Sequence, residues 1–171
     1  MRHVLVPTDL SETARAALEY AVDLCRDLQG RITLLHVIHA QKVSETLVGL
    51  DAIGYLSDTL DLPSDPSRPT PSFNVDDLKI IARQKLEESV DASWRERVSI
   101  ETAVEEGRPS LKIVEYARQH DVDMIVMGTH GRGPVAHFFL GSVAENIVRS
   151  ANCPVITVRS KPGTCSGAAN P

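Results

Sequence analysis

The chain has 171 residues, 42% hydrophobic and 24% charged, which suits one soluble domain with a full core and is too short for two comfortable ones. A formal net charge of −5 argues against a nucleic-acid-binding surface, which carries a basic excess, so any anion site must be local. No stretch approaches the roughly 20 apolar residues of a membrane span, the amino-terminal apolar run is too short for a signal-peptide core, and Cys25, Cys153 and Cys165 are scattered and odd in number, so a reducing, cytoplasmic setting is expected.

Val4-Leu5-Val6, bounded by Pro7, reads as a short strand buried on both faces. Ala14, Ala17, Leu18, Ala21, Cys25 and Leu28 then recur at a helical period; Gly30 is placed to close this helix, and Asp9-Leu10-Ser11-Glu12 to cap its start. Residues 32–38 form a second apolar run, and a strand, helix and strand of this length imply a parallel pair. Residues 39–74 contain Pro63, Pro66, Pro69 and Pro71 and are expected to be a mobile insertion.

A helix is predicted from Asn74 as cap, with Asp76 and Asp77 in its first turn and Leu78, Ile81, Ala82, Leu86 and Val90 facing inward. Residues 98–104 alternate apolar and polar, as an edge strand exposed on one side would. Pro109 suits the first turn of a helix running to about His120, with Leu111, Val114 and Ala117 on one face. Met124 to Met127 is the fourth strand; a last helix ends near Ala151-Asn152, with the asparagine available for a left-handed cap. Pro154 to Val158 is the fifth strand, and residues 160–171 read as a disordered tail. Alternating strands and helices give an open α/β sheet with helices on both faces.

Between the fourth strand and the last helix lies Gly128-Thr129-His130-Gly131-Arg132-Gly133-Pro134-Val135-Ala136-His137-Phe138-Phe139-Leu140-Gly141-Ser142. Strand, glycine-rich loop and helix start is the order an anion site requires: glycines permit close approach and positive φ, and the first helical turn offers unpaired N–H groups and a partial positive charge. Phosphate is the expected occupant. Ser142-Val143-Ala144-Glu145 also reads as a capping box, which needs no ligand.

The spacing Gly128, two residues, Gly131, nine residues, Gly141-Ser142 is the G-x2-G-x9-G-(S/T) pattern of the universal stress protein family, and over residues 1–159 the chain resembles the branch of that family that binds ATP. The resemblance implies a Rossmann-like, five-stranded parallel sheet in the order 3-2-1-4-5. It also implies phosphate contacts from Gly128, Gly131, Gly141 and Ser142, with Mg²⁺ arriving alongside ATP. In such a sheet ligands sit beyond the carboxyl ends of the strands where the order reverses, here strands 1 and 4. The acidic residue after strand 1 corresponds to Asp9, which would hydrogen-bond ribose or base, with Pro7 and Thr8 as wall and Val37 offering its backbone to adenine. Met127, Thr129 and Val143 complete the expected site, and Arg132 is a candidate for charge-assisted bonds to phosphate. Asp9 has a purely structural alternative as N-cap of the first helix.

Family members usually dimerise through the last strand, and Val155 to Val158 would be an unprotected edge in a monomer. The chain has neither a G-x-x-x-x-G-K-(S/T) loop nor a G-x-S-x-G elbow, and no residue stands out as an oriented nucleophile. His3, His36, His39 and His120 show no metal-ligand spacing. Binding of ATP by a regulatory or protective module, without efficient turnover, is the expectation; the alternatives are a nucleotide-independent interaction module, a slow ATPase or phosphotransferase, and AMP or cyclic AMP as ligand.

Overall fold

The computed structural model describes residues 2–38, 75–129 and 141–159. The expected insertion, the Asn74 cap, most of the glycine loop with His130, Gly131, Arg132 and His137, and the expected tail with Cys165 lie outside the described residues. Strands β1 (His3–Pro7), β2 (Arg31–Ile38), β3 (Ser99–Glu106), β4 (Met124–Gly128) and β5 (Val155–Val158) form one sheet in the order β3-β2-β1-β4-β5. Every neighbouring pair is parallel, with Pro7 opposite Leu35 and Leu5 opposite Ile125. The helices are α1 (Glu12–Leu28), α2 (Val75–Ser89), α3 (Ala92–Arg95), α4 (Pro109–Gln119) and α5 (Ser142–Ser150). The expected order is therefore the observed one, and the chain reverses direction across the sheet between β1 and β4.

Successive strand side chains alternate faces, which divides the core in two. Val4, Val6, Ile32, Leu34 and Val126 pack with Ala17, Leu18, Ala21, Val22 and Cys25 of α1, with Leu86 of α2 and with Trp94 of α3. Leu5, Leu35, Ile125 and Met127 pack on the opposite side with Ile113 and Ala117 of α4 and Ala144 and Ile147 of α5. Each fully buried Leu, Ile or Val contributes about 1.5–3 kcal/mol, so both helical layers are held mainly by the strands between them. Burial also pushes the Cys25 thiol up to about 11, consistent with a core cysteine.

Several local expectations are corrected. The N-cap of α1 is Ser11, whose hydroxyl accepts from the Ala14 N–H at 3.2 Å; Asp9 sits before the cap. At its other end the left-handed residue is Gln29, at φ 51°, and not Gly30. The Gly30 N–H donates to Cys25 O at 2.8 Å, and a Cβ on Gly30 would lie 2.9 Å from the Arg2 carbonyl oxygen, so close packing explains this glycine. Leu28 and Leu111 are exposed; the buried pair on α4 is Ile113 and Ala117, because the face turned to the sheet is set one step away from the Leu111–Val114 stripe. In α2, Leu78 and Leu86 are buried whereas Ile81 and Ala82 are only half-buried. Helix α5 stops at Ser150, with Ala151 extended at φ −69° and ψ 142°, and Asn152 is not left-handed.

A polar network ties the amino ends of the strands. Buried His3 places Nε2 2.8 Å from Thr33 Oγ1 and Nδ1 3.1 Å from the His120 carbonyl oxygen, while its own backbone N–H donates to Asp123 Oδ2 at 2.7 Å. Burial, reinforced by the nearby Arg31 guanidinium and His120, holds the His3 pKa below its ordinary value of 6.5. The unfolded chain then binds a proton at a pH where the folded chain does not, so stability rises with pH between the lowered folded value and about 6.5. Urea unfolding between pH 5 and 7 is expected to show this slope, and His3→Gln to reduce it; equal slopes would remove His3 as the cause.

Candidate functional site

The carboxyl end of β4 meets α1 in one close approach. A Cβ on Gly128 would stand 3.0 Å from both Cγ2 and the carbonyl oxygen of Thr13, in the first turn of α1. Gly128 is therefore tightly packed on Thr13, and this contact sets the end of β4 against the helix that follows the Asp9 turn. Among the described residues the glycine at positive φ is Gly107; Gly128 and Gly141 do not use the left-handed freedom expected of them. Gly128→Ala is expected to cost about 1–3 kcal/mol as overpacking, more than the ~0.4–1 kcal/mol that restricting the unfolded chain returns. Thermal unfolding checks this, and an unchanged midpoint would mean that α1 yields freely.

Among the described residues, the turn after β1 is pinned by at least five bonds. The Thr8 N–H donates to Leu35 O at 2.8 Å, extending the β1–β2 ladder by one residue. Thr8 Oγ1 accepts from the Leu10 N–H at 3.0 Å, Asp9 Oδ1 accepts from the Ser11 N–H at 3.0 Å, and Ser11 then caps α1. The fifth bond comes from His36 on β2, with Nδ1 2.8 Å from the Thr8 carbonyl oxygen. A carbonyl only accepts, so Nδ1 carries the proton. Leu10 is left-handed at φ 63°, a conformation that costs a branched L-residue roughly 1–2 kcal/mol. Its side chain packs against the core, and the surrounding bonds hold the strained backbone in place. Asp9 is thus oriented by its own turn, and a carboxylate can accept about four hydrogen bonds in all.

On the β4 side, Thr129 is buried and spans two elements: its N–H donates to Val158 O at 3.0 Å and its carbonyl accepts from the Gly141 N–H at 2.8 Å. The second bond closes the base of the loop and engages the Gly141 donor. Gly141, at φ −59° and ψ 148°, is the N-cap of α5 and Ser142 is its first helical residue. The capping box is consequently absent: no side chain caps α5, and Glu145 pairs instead with Arg149 at 2.8 Å. The Glu145 N–H donates to Gly141 O at 2.9 Å as the first helical bond, leaving the N–H groups of Ser142, Val143 and Ala144 without helical acceptors. These donors, at the positive end of the helix dipole, are what an anion would meet.

Of the twelve expected site residues, Pro7, Thr8, Asp9, Val37, Met127, Gly128, Thr129, Gly141, Ser142 and Val143 lie at or just beyond the carboxyl ends of β1, β2 and β4 or open α5; Gly131 and Arg132 lie outside the described residues. Val37 and Met127 are buried, so any contact they make with a ligand runs through backbone or wall. Sequence reasoning missed His36, although a polar residue inside the run 32–38 is itself a signal, since buried polar groups need partners. It also missed Thr13, whose role depends on a tertiary contact. No group of three or more His, Cys, Asp and Glu side chains suited to a metal occurs among the described residues, and no helix there is long and apolar enough to cross a membrane.

Comparison with known proteins agrees with this architecture. The model of the universal stress protein family matches residues 1–159. A universal stress protein of Methanocaldococcus jannaschii, MJ0531, is 28% identical over 158 residues, 92% of this chain and 82% of its own. A second from the same organism, MJ0577, has a solved structure with a TM-score of 0.64 at 26% identity, covering 95% of this chain and 98% of that one. A universal stress protein of Archaeoglobus fulgidus in complex with dAMP shares the fold, with a TM-score of 0.57 at 22% identity and coverage of 92% and 97%. With the family model matched across the whole sheet, the chain belongs to the universal stress protein family.

Proposed function

We propose that this protein binds ATP in the crevice between the β1 turn and the start of α5, and serves as a nucleotide-dependent regulatory or protective module. The observation that carries the reading is the opening of α5: three N–H donors without helical acceptors follow Gly141, at the switch point of the sheet. Asp9, one turn before the Thr13–Gly128 contact, supplies a carboxylate suited to ribose hydroxyls. In this reading Ser142 and Val143 meet phosphate, with Gly128, Gly131, Gly141 and Arg132 around it. Thr129 closes the loop, and Pro7, Thr8, Val37 and Met127 line the nucleoside side. The donor set fits a polyphosphate: backbone N–H groups take the anion, and Mg²⁺ would be held mainly by phosphate and water. The dAMP complex of the A. fulgidus relative supports an adenine nucleotide as the class of ligand.

The same reading places the protein in the cytoplasm as a homodimer. Strand β5 lies at the edge of the sheet with Val155, Ile156 and Val158 half-buried, a strand that pairing with a second copy would cover. Thermal unfolding with excess ATP and Mg²⁺ tests the function. At ~100 times Kd a ligand of the native state adds about 2.7 kcal/mol, and AMP and cyclic AMP are expected to compete less well than ATP. An unmoved midpoint would leave a nucleotide-independent interaction module in its place. Sedimentation equilibrium giving the mass of a single chain would remove the dimer.

A further inference from the structure

We propose that His36 is a positioning residue for nucleoside recognition: by donating from Nδ1 to the Thr8 carbonyl at 2.8 Å, it fixes the turn that aims Asp9. The inference rests on the nucleotide-binding reading above and adds a residue that does not itself touch the ligand.

His36 is buried on β2, directly beside the carboxyl end of β1, where Pro7 stands opposite Leu35. Its bond crosses from one strand to the loop of the other. Other bonds of the turn are local or belong to the ladder, among them Leu10 to Thr8, Ser11 to Asp9, Ala14 to Ser11, and Thr8 to Leu35. Through its bond to the Thr8 carbonyl, the His36 side chain restrains the peptide leading into Asp9. That peptide precedes a left-handed Leu10, and a strained segment keeps its shape only where neighbouring contacts over-determine it. Without the His36 donor, the Thr8 carbonyl must seek another partner, because a part-buried acceptor left unpaired is costly. The Thr8–Asp9 peptide can then rotate, and the carboxylate moves with it. The phosphate side at α5 is made by a separate element, Ser142–Ser150.

The chemistry provides a conservative replacement. Asparagine carries Nδ2 on Cγ, in the place of the histidine Nδ1, and donates without an ionisable ring. Leucine at the same position keeps bulk and removes the donor.

The test compares dissociation constants for ATP and for 2′,3′-dideoxy-ATP, measured by titration calorimetry with Mg²⁺ on wild type, His36→Asn and His36→Leu. Because a hydrogen bond to a charged group is among the stronger ones, wild type is expected to prefer ATP by about tenfold or more. His36→Leu is expected to shrink this preference to roughly twofold while still binding the dideoxy nucleotide, and His36→Asn to keep it. A residue that merely stabilises the fold would weaken both nucleotides in parallel and leave their ratio unmoved, and that result overturns the proposal. So does a full preference retained in His36→Leu, or one lost equally in His36→Asn. If wild type binds ATP with no preference over the dideoxy form, the aiming of Asp9 at ribose is wrong and the inference goes with it. If wild type binds neither nucleotide, the ATP site itself is refuted. Nucleotide-free melting curves of the three proteins identify any variant that does not fold, and His36→Asn alone against wild type then decides: a preference retained supports the donor, and one lost overturns it.

Discussion

Trp94→Ala is expected to lower the unfolding free energy by about 3–5 kcal/mol. Trp94 lies on α3, a helix of four residues between α2 and β3, yet it is only 8% exposed and belongs to the buried cluster that includes Val4, Val6, Leu18, Leu34 and Leu86. Such a short helix has no stability of its own; it exists because the indole anchors it. Asp91 caps it by accepting from the Ser93 N–H at 2.8 Å, and the Val98 N–H donates back to Trp94 O at 3.0 Å, leading the chain into β3. The Arg15 guanidinium also lies 5.7 Å from the ring centroid, a cation–π contact worth about 0.5–1 kcal/mol at an exposed site. Truncation removes the anchor, the α1 contact and a large buried volume at once. Since a domain is stable by about 5–15 kcal/mol, the loss takes a large share. The chain has one tryptophan, so circular dichroism in urea is the suitable probe. A loss under about 1 kcal/mol would show that the pocket collapses without cost and that α3 is a passenger.

That residue also marks how far the sequence can be read. Long periodic segments declare themselves: the run at Val4 to Val6, the helical spacing from Ala14 to Cys25 and the run ending at Met127 are all in place, since burial on one or two faces imposes the pattern. Their order in the sheet was not in the pattern and came from the family resemblance. Four residues around Trp94 carry no period at all. Ends were readable only to within a residue or two, because Asp9 and Ser11 are both good caps, as Ser142 and Gly141 both are, and the choice depends on which backbone the tertiary structure turns outward. The glycines show the same limit in the candidate site. Gly128 is expected for ligand approach and also packs tightly on Thr13, a contact between segments more than 100 residues apart. The donors at α5 follow from local sequence, whereas the clasp from Gly141 to Thr129 and the bond from His36 to Thr8 follow from folding.

Ser142→Pro is expected to leave the fold intact and weaken ATP by about 10–150-fold, the equivalent of 1.5–3 kcal/mol for one hydrogen bond to a charged group. The backbone already accommodates the substitution. Ser142 is the first residue of α5, the position proline favours, and its N–H has no helical acceptor to lose. Gly141, at φ −59° and ψ 148°, already occupies the extended region that a residue before proline must adopt. The Ser142 hydroxyl makes no cap, so removing it costs the helix little, and the Ser142 carbonyl still accepts from Asn146 Nδ2. Unfolding free energy is therefore expected to stay within about 0.5 kcal/mol, as for a surface change away from special features. Binding responds differently if the proposed site is right, because the proline deletes together the N–H and the hydroxyl that would meet phosphate there. Ser142→Ala, which removes the hydroxyl and keeps the N–H, is expected to lose less than the proline variant. The difference between the two variants measures the backbone donor itself. Equal affinities for wild type and Ser142→Pro would mean that phosphate does not use the start of α5. The three N–H groups without helical acceptors would then be an ordinary helix end, and the site would have to be sought without them.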